Sequence, residues 1–144
     1  MKEFIGEFLG TFILVLLGDG VVAGNVLKNT KEEGTGWSSI VFGWGIACTV
    51  AVYVAGLFSP AHLNPAVTIA MAATESLAWS KVLLYIVAQL LGAMFAAVIL
   101  WLHYYPHFKE TKDSGAILGM FSTAPAIRHT PSNFFLEKHL EQQF

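Results

Sequence analysis

The sequence predicts an all-α integral membrane protein with three spanning helices and one re-entrant half-helix. Three observations carry this. Apolar residues make up 55% of the 144-residue chain and charged residues only 12%, against roughly 25% charged in an average soluble domain. So little charged surface cannot enclose several apolar segments in water. Three such segments, near residues 4–27, 39–58 and 81–104, each reach the ~20 residues needed to cross a ~30 Å hydrocarbon layer. Between the second and third lies Ser59-Pro60-Ala61-His62-Leu63-Asn64-Pro65-Ala66-Val67-Thr68, a polar, proline-bearing break followed by an apolar run too short to span.

The first segment starts at Phe4 after Lys2. Its length and the later spans set it apart from a signal peptide. It carries two acids. Asp19 lies near the far end, within reach of water. Glu7 lies near the start, on roughly one helical face with Gly10 and Gly18, where a neighbour could approach closely. Two placements stand open for Glu7. It sits at headgroup depth, or it is buried and accepts backbone N–H groups from an irregular segment nearby. Residues 28–36 form a polar connection, and Trp37 suits an interfacial belt.

The second segment has no charge and spaces Gly43, Ala47, Ala51 and Ala55 by four, a stripe that favours tight helix packing. Trp44 is a large ring among small residues, and its type alone suits lipid or a belt. The lone Cys48 is expected as a small buried apolar side chain. It leaves no internal disulfide and no metal-ligand cluster.

In the break, Pro60 and Pro65 remove backbone donors and disfavour helix before them. Asn64 is a good N-cap and Pro65 is tolerated at the first helical position. A helix over about 65–73 is ~14 Å long, half a crossing. The chain therefore enters and leaves on one side. Irregular backbone at that depth must be covered by protein or line a water-filled cavity. The carbonyls of the strand-like Pro60-Ala61-His62 piece need donors, and a permeating hydroxyl or water is one.

In the third segment Gln89 and Gly92 share a face, and the Gln89 amide is expected against protein. Trp79, Trp101, Tyr104 and Tyr105 mark the two ends. Residues 1–105 thus form the membrane unit. Residues 106–144 read as a polar loop and an aberrant tail, with Phe134-Phe135-Leu136 starting a span that Glu137-Lys138 breaks off. His62, His103, His107 and His129 show no metal-ligand spacing within a span. No nucleophile–base pair is evident, so the sequence does not read as an enzyme, and no cofactor is expected. No basic block suggests nucleic acid.

Ala61-His62-Leu63-Asn64-Pro65-Ala66-Val67-Thr68 resembles the first Asn-Pro-Ala signature of the major intrinsic proteins, the aquaporins and glycerol facilitators. Glu7-x-x-Gly10-Thr11, Ala88-Gln89-x-x-Gly92-Ala93 and Gly119-x-Phe121-Ser122-Thr123-x-Pro125 stand in matching order, the last resembling glycerol facilitators. The resemblance implies two inverted repeats of three spans and a half-helix, of which this chain holds the first. It implies that Trp44, Pro60, Ala61, His62, Asn64 and Ala66 line a pore, while Glu7, Pro65 and Gln89 support the half-helix. The implied activity is passive passage of glycerol, other small polyols and water across a cell membrane. The implied partners are the lipid bilayer and either a homo-oligomer, tetrameric by family analogy, or a chain supplying the second half. A water-selective channel half and a non-conducting fragment that joins full-length relatives are the alternatives.

The sequence also departs from the family pattern. It contains one Asn-Pro dipeptide, no second box and no following Arg. Pro60 stands where the family commonly has Gly. The family's cytoplasmic N-terminus would put Lys28, Lys31, Lys109, Lys112 and Arg128 outside, against the positive-inside tendency. A half-pore exposes its polar wall, so the chain is expected to be truncated and not to conduct alone.

Overall fold

A computed structural model describes residues 1–122. These residues form six helices: α1 Lys2–Val26, α2 Trp37–Ala55, α3 Pro65–Ala73, α4 Trp79–His103, α5 Tyr105–Glu110 and α6 Ser114–Phe121. No strand occurs among them. Helices α1, α2 and α4 are each long and apolar enough to cross a membrane, and α3 is a nine-residue insert.

Helix α1 is the central element and packs along both α2 and α4. Small residues set the distances. A Cβ at Gly92 of α4 would collide with the Phe8 carbonyl of α1, so these two backbones lie nearly in contact. Gly18 of α1 lies under the six-membered ring of Trp44, and Gly43 of α2 faces Val21. Ala47, Ala51 and Ala55 of the α2 stripe are fully buried. Without a hydrophobic drive between helices in lipid, such close packing is the main source of their association.

Among the described residues, three small apolar clusters stand in place of one large core. Ala23, Leu27, Leu100 and Met120 join α1, α4 and α6. Ala51, Ala55 and Leu63 join α2 to the break before α3. Ala72, Leu77 and Tyr85 dock the end of α3 on α4. Elsewhere the helix faces are apolar and exposed, as with Phe42, Tyr53, Leu83 and Met94, which suits lipid or a further protein surface.

The α1–α2 connection is held by polar contacts. Asn25 donates its amide to Thr35 Oγ1 at 2.7 Å and Ser39 Oγ at 2.8 Å. Thr30 Oγ1 donates to the Gly24 carbonyl, and Lys28 pairs with Glu33 at 2.6 Å. At the opposite end Lys81 pairs with Glu3 at 2.9 Å. Trp37 and Trp79 are exposed at helix starts, and Trp101 and Tyr105 are exposed at the end of α4.

Three expectations change. Cys48 is exposed: it follows Ala47 by one position, about 100° around the helix from the buried 47/51/55 stripe. Residues 106–122, expected as a polar loop, carry α5 and α6. Asp113 accepts from Gly115 N at 2.8 Å and Ala116 N at 3.2 Å and so caps α6. The Pro60-Ala61-His62 piece is not strand-like, because Ala61 and Leu63 take left-handed conformations (φ 55° and 52°). Thr123, Pro125, Arg128, His129, Phe134, Phe135, Leu136, Glu137 and Lys138 lie outside the described residues.

Candidate functional site

The break between α2 and α3 is organised by one carboxylate. Glu7 is fully buried and accepts four hydrogen bonds. Its Oε1 takes Ser59 Oγ–H at 2.8 Å and the His62 N–H at 3.0 Å. Its Oε2 takes the Leu63 N–H at 2.8 Å and the Gln89 amide at 2.8 Å. Of the two placements open to Glu7, the structure has the buried one. The left-handed turns at Ala61 and Leu63 explain how consecutive N–H groups converge on one anion. Alternation of hand makes a concave nest of backbone donors. A left-handed residue with a Cβ costs about 1–2 kcal/mol, and charge-assisted hydrogen bonds are strong enough to offset it.

A second layer fixes α3 itself. The Gln89 amide also donates to Thr68 Oγ1 at 2.9 Å, and Gln89 is 1% exposed. Thr68 Oγ1 lies 3.1 Å from the Asn64 carbonyl and 3.3 Å from His62 Nδ1. The His62 ring packs on Tyr85 at 5.1 Å between centroids. Thr68 and Ala72, four apart, are the buried stripe of α3. Glu7 and Gln89 therefore hold the N-terminal end of α3 through side chains of α1 and α4. Gln89 lies ten residues past Trp79, the first residue of α4. At 1.5 Å per residue that is about 15 Å along the axis, half a span.

Asn64 stands at the head of this assembly. Its backbone is extended (φ −152°, ψ 129°) and its Oδ1 accepts from Ala66 N at 2.8 Å. With the oxygen engaged at the cap, the NH2 is the free end of the amide, and the residue is exposed. Pro65 occupies the first helical turn, where its missing N–H costs nothing. The partial positive end of α3 adds to the donor character of this spot.

The remaining sequence-named residues fall around it. Pro60 and Ala66 are exposed, Ala61 is half-buried and His62 is 8% exposed. The carbonyls of Pro60, Ala61 and His62 accept no hydrogen bond from the described residues. Trp44 is half-buried, one ring face closed by Gly18. Asp19 is half-buried without a hydrogen-bond partner among the described residues. Sequence reasoning missed Ser59 and Thr68. The Asn64/Thr68 spacing of four, next to a Gln on a facing span, was the available signal for Thr68. Ser59 had none beyond its position before Pro60.

Three candidate spans around a half-crossing helix, seated on a buried carboxylate, are the architecture of a polytopic membrane protein. The chain belongs to the major intrinsic protein family, whose sequence profile matches residues 1–137. It is 55% identical over 137 residues to a glycerol uptake facilitator protein of Streptococcus pneumoniae, covering 95% of this chain and 58% of that protein. It is 52% identical over 135 residues to glycerol uptake facilitator protein 3 of Lactiplantibacillus plantarum, covering 94% and 56%. Among solved structures, the aquaglyceroporin from Plasmodium falciparum matches with a TM-score of 0.71 and 36% identity, over 78% of this chain and 46% of that one. The chain thus spans a little over half the length of these bacterial relatives.

Proposed function

We propose that this chain supplies one wall of a passive transmembrane channel for glycerol and other small neutral solutes, with water, and conducts only with a facing wall. The observation that carries the reading is the Asn64 cap. Its oxygen is spent on Ala66 N at 2.8 Å, which aims an amide donor outward from the mid-depth start of a half-helix. A hydroxyl oxygen passing there accepts from Asn64. The hydroxyl hydrogens find acceptors in the carbonyls of Pro60, Ala61 and His62, and Trp44 offers an apolar wall to the carbon skeleton. The positive end of α3 opposes cations. The names of the bacterial relatives support glycerol as the solute.

The need for a facing wall follows from exposure. Asn64, Pro60 and Ala66 lie at the surface, and an amide unmet in hydrocarbon costs several kcal/mol. This surface therefore faces a second repeat-like chain or another copy of this one, and by family analogy the assembled channel is a tetramer. The test is light scattering by vesicles under a glycerol gradient. We expect flux when the chain is co-reconstituted with the second half of the Streptococcus pneumoniae relative, and background flux from the chain alone. Equal flux from the chain alone would overturn the facing-wall requirement. No flux from the pair, with both halves shown to be inserted, would overturn the channel reading.

A further inference from the structure

The polar contacts under α3 also fix where protons lie. Glu7, with four donors around it, accepts only. The Gln89 group facing it must therefore be the NH2, since the amide oxygen there would meet a carboxylate oxygen. Gln89 then spends both hydrogens, one on Glu7 Oε2 at 2.8 Å and one on Thr68 Oγ1 at 2.9 Å. Thr68 has one proton and two lone pairs. One lone pair takes Gln89. The Asn64 carbonyl can only accept and at 3.1 Å is nearer than His62 Nδ1, so it takes the Thr68 proton. The remaining lone pair faces His62 Nδ1 at 3.3 Å, which must then carry hydrogen.

We propose that Thr68 and Gln89 hold His62 as its Nδ1–H tautomer, so that the imidazole offers its bare Nε2 as a hydrogen-bond acceptor to water or a solute hydroxyl. Nε2 has no partner among the described residues. Among the described residues it is also absent from the unpartnered polar atoms sealed inside the protein, which are Thr11 Oγ1, Tyr85 OH and Gln89 Oε1. His62 keeps 8% of its surface exposed. The competing tautomer, Nε2–H, needs Thr68 to turn its proton from the Asn64 carbonyl to the longer His62 contact. It would present a donor in place of an acceptor. The tautomer lock stands on the side-chain geometry alone. The role toward a solute rests on the channel reading above.

The test is nitrogen NMR of the full chain, labelled with 15N-histidine and reconstituted in lipid at a pH where histidine is neutral. The His62 signals are assigned by their loss in His62→Gln. The expected spectrum has one tautomer, with Nδ1 in the protonated range and Nε2 in the unprotonated range. Thr68→Ser keeps the hydroxyl and should keep that pattern. Thr68→Val removes the acceptor and should shift His62 toward Nε2–H. An Nε2–H signal in the unsubstituted chain overturns the lock, as does a Thr68→Val spectrum unchanged from it. If Thr68→Val does not fold, the unsubstituted and Thr68→Ser spectra decide. Vesicle flux is scored separately: the Nδ1–H signal without flux from the paired halves keeps the lock and removes its role toward solute, whereas flux with Nε2–H keeps the channel reading and overturns both the lock and the acceptor role of His62.

Discussion

Replacing Glu7 by Ala removes the group on which the half-helix is seated. Two backbone donors, His62 N–H and Leu63 N–H, lose acceptors at 3.0 and 2.8 Å, in a place closed to water. A buried donor left unpaired costs about 1–3 kcal/mol, so these two alone amount to about 2–6 kcal/mol. The left-handed turns at Ala61 and Leu63 also lose the bonds that hold them. The cost falls locally, because α1 still packs on α2 and α4 through Gly18, Gly43 and Gly92. The expected outcome is a folded three-span unit with a loosened 59–66 segment. Hydrogen–deuterium exchange in lipid nanodiscs reads this directly. At about 1.4 kcal/mol per tenfold, the His62 and Leu63 amides should exchange at least about 30-fold faster in Glu7→Ala. Amides in the middle of α2 should be unaffected. Glu7→Gln should fall between, since its oxygen can keep two donors while its NH2 opposes the N–H of either His62 or Leu63. Unchanged exchange at His62 and Leu63 in Glu7→Ala would refute the seating of the half-helix on Glu7.

Other predictions concern packing and backbone. Gly92→Val drives a side chain against the Phe8 carbonyl. Overpacking of this kind costs about 1–3 kcal/mol, and rigid backbone on both sides places it at the upper end; unfolding in mixed micelles should show it. Ala61→Gly relieves a left-handed residue worth about 1–2 kcal/mol but loosens the unfolded chain by about 0.4–1 kcal/mol. A gain of at most about 1.6 kcal/mol is expected in the same assay, and Ala61→Val should destabilise instead, since β-branched residues avoid that region. Asn25→Ala removes the contacts to Thr35 and Ser39 at 2.7 and 2.8 Å. It should raise proteolysis within residues 28–36, while the exchange of His62 and Leu63 stays unchanged.

Much of the fold was legible because a bilayer restricts what a chain can do. The three spans announce themselves by length and polarity, and Asn64-Pro65 marks the start of a helix too short to cross. The nine residues of α3 match the sequence estimate because a Pro start and the polar Thr74-Glu75-Ser76 bound it on both sides. The burial of Glu7 was one of two open readings, since a carboxylate near a helix start can equally reach headgroups. Deciding between them takes the tertiary fact that Ser59, His62, Leu63 and Gln89 all converge on it. The hand of the backbone at Ala61 and Leu63 left no trace in residue type, because neither position carries the glycine that a positive φ favours. Cys48 shows the limit of residue-type expectations: one step off a buried stripe turns a side chain outward whatever its polarity. Helices α5 and α6 were masked by Pro106, Gly115 and Gly119, residues that read as loop although Pro sits in a first turn and Asp113 provides a cap.

In the proposed channel, solute handling falls to the Asn64 amide, held outward by its own cap. Asn64→Ala removes the amide at a cost to α3 of about 1 kcal/mol, the usual value of an N-cap, so the wall should remain assembled on Glu7 and Gln89. Asn64→Asp keeps the cap acceptor and replaces the donor NH2 with a carboxyl oxygen. The decisive measurement is glycerol flux into vesicles carrying the paired halves, comparing the unsubstituted chain with Asn64→Ala and Asn64→Asp at equal amounts of inserted protein. Both substitutions should lower glycerol flux, Asn64→Asp included, although its cap is intact. Flux in Asn64→Asp equal to that of the unsubstituted chain would contradict a solute-donating role for this amide.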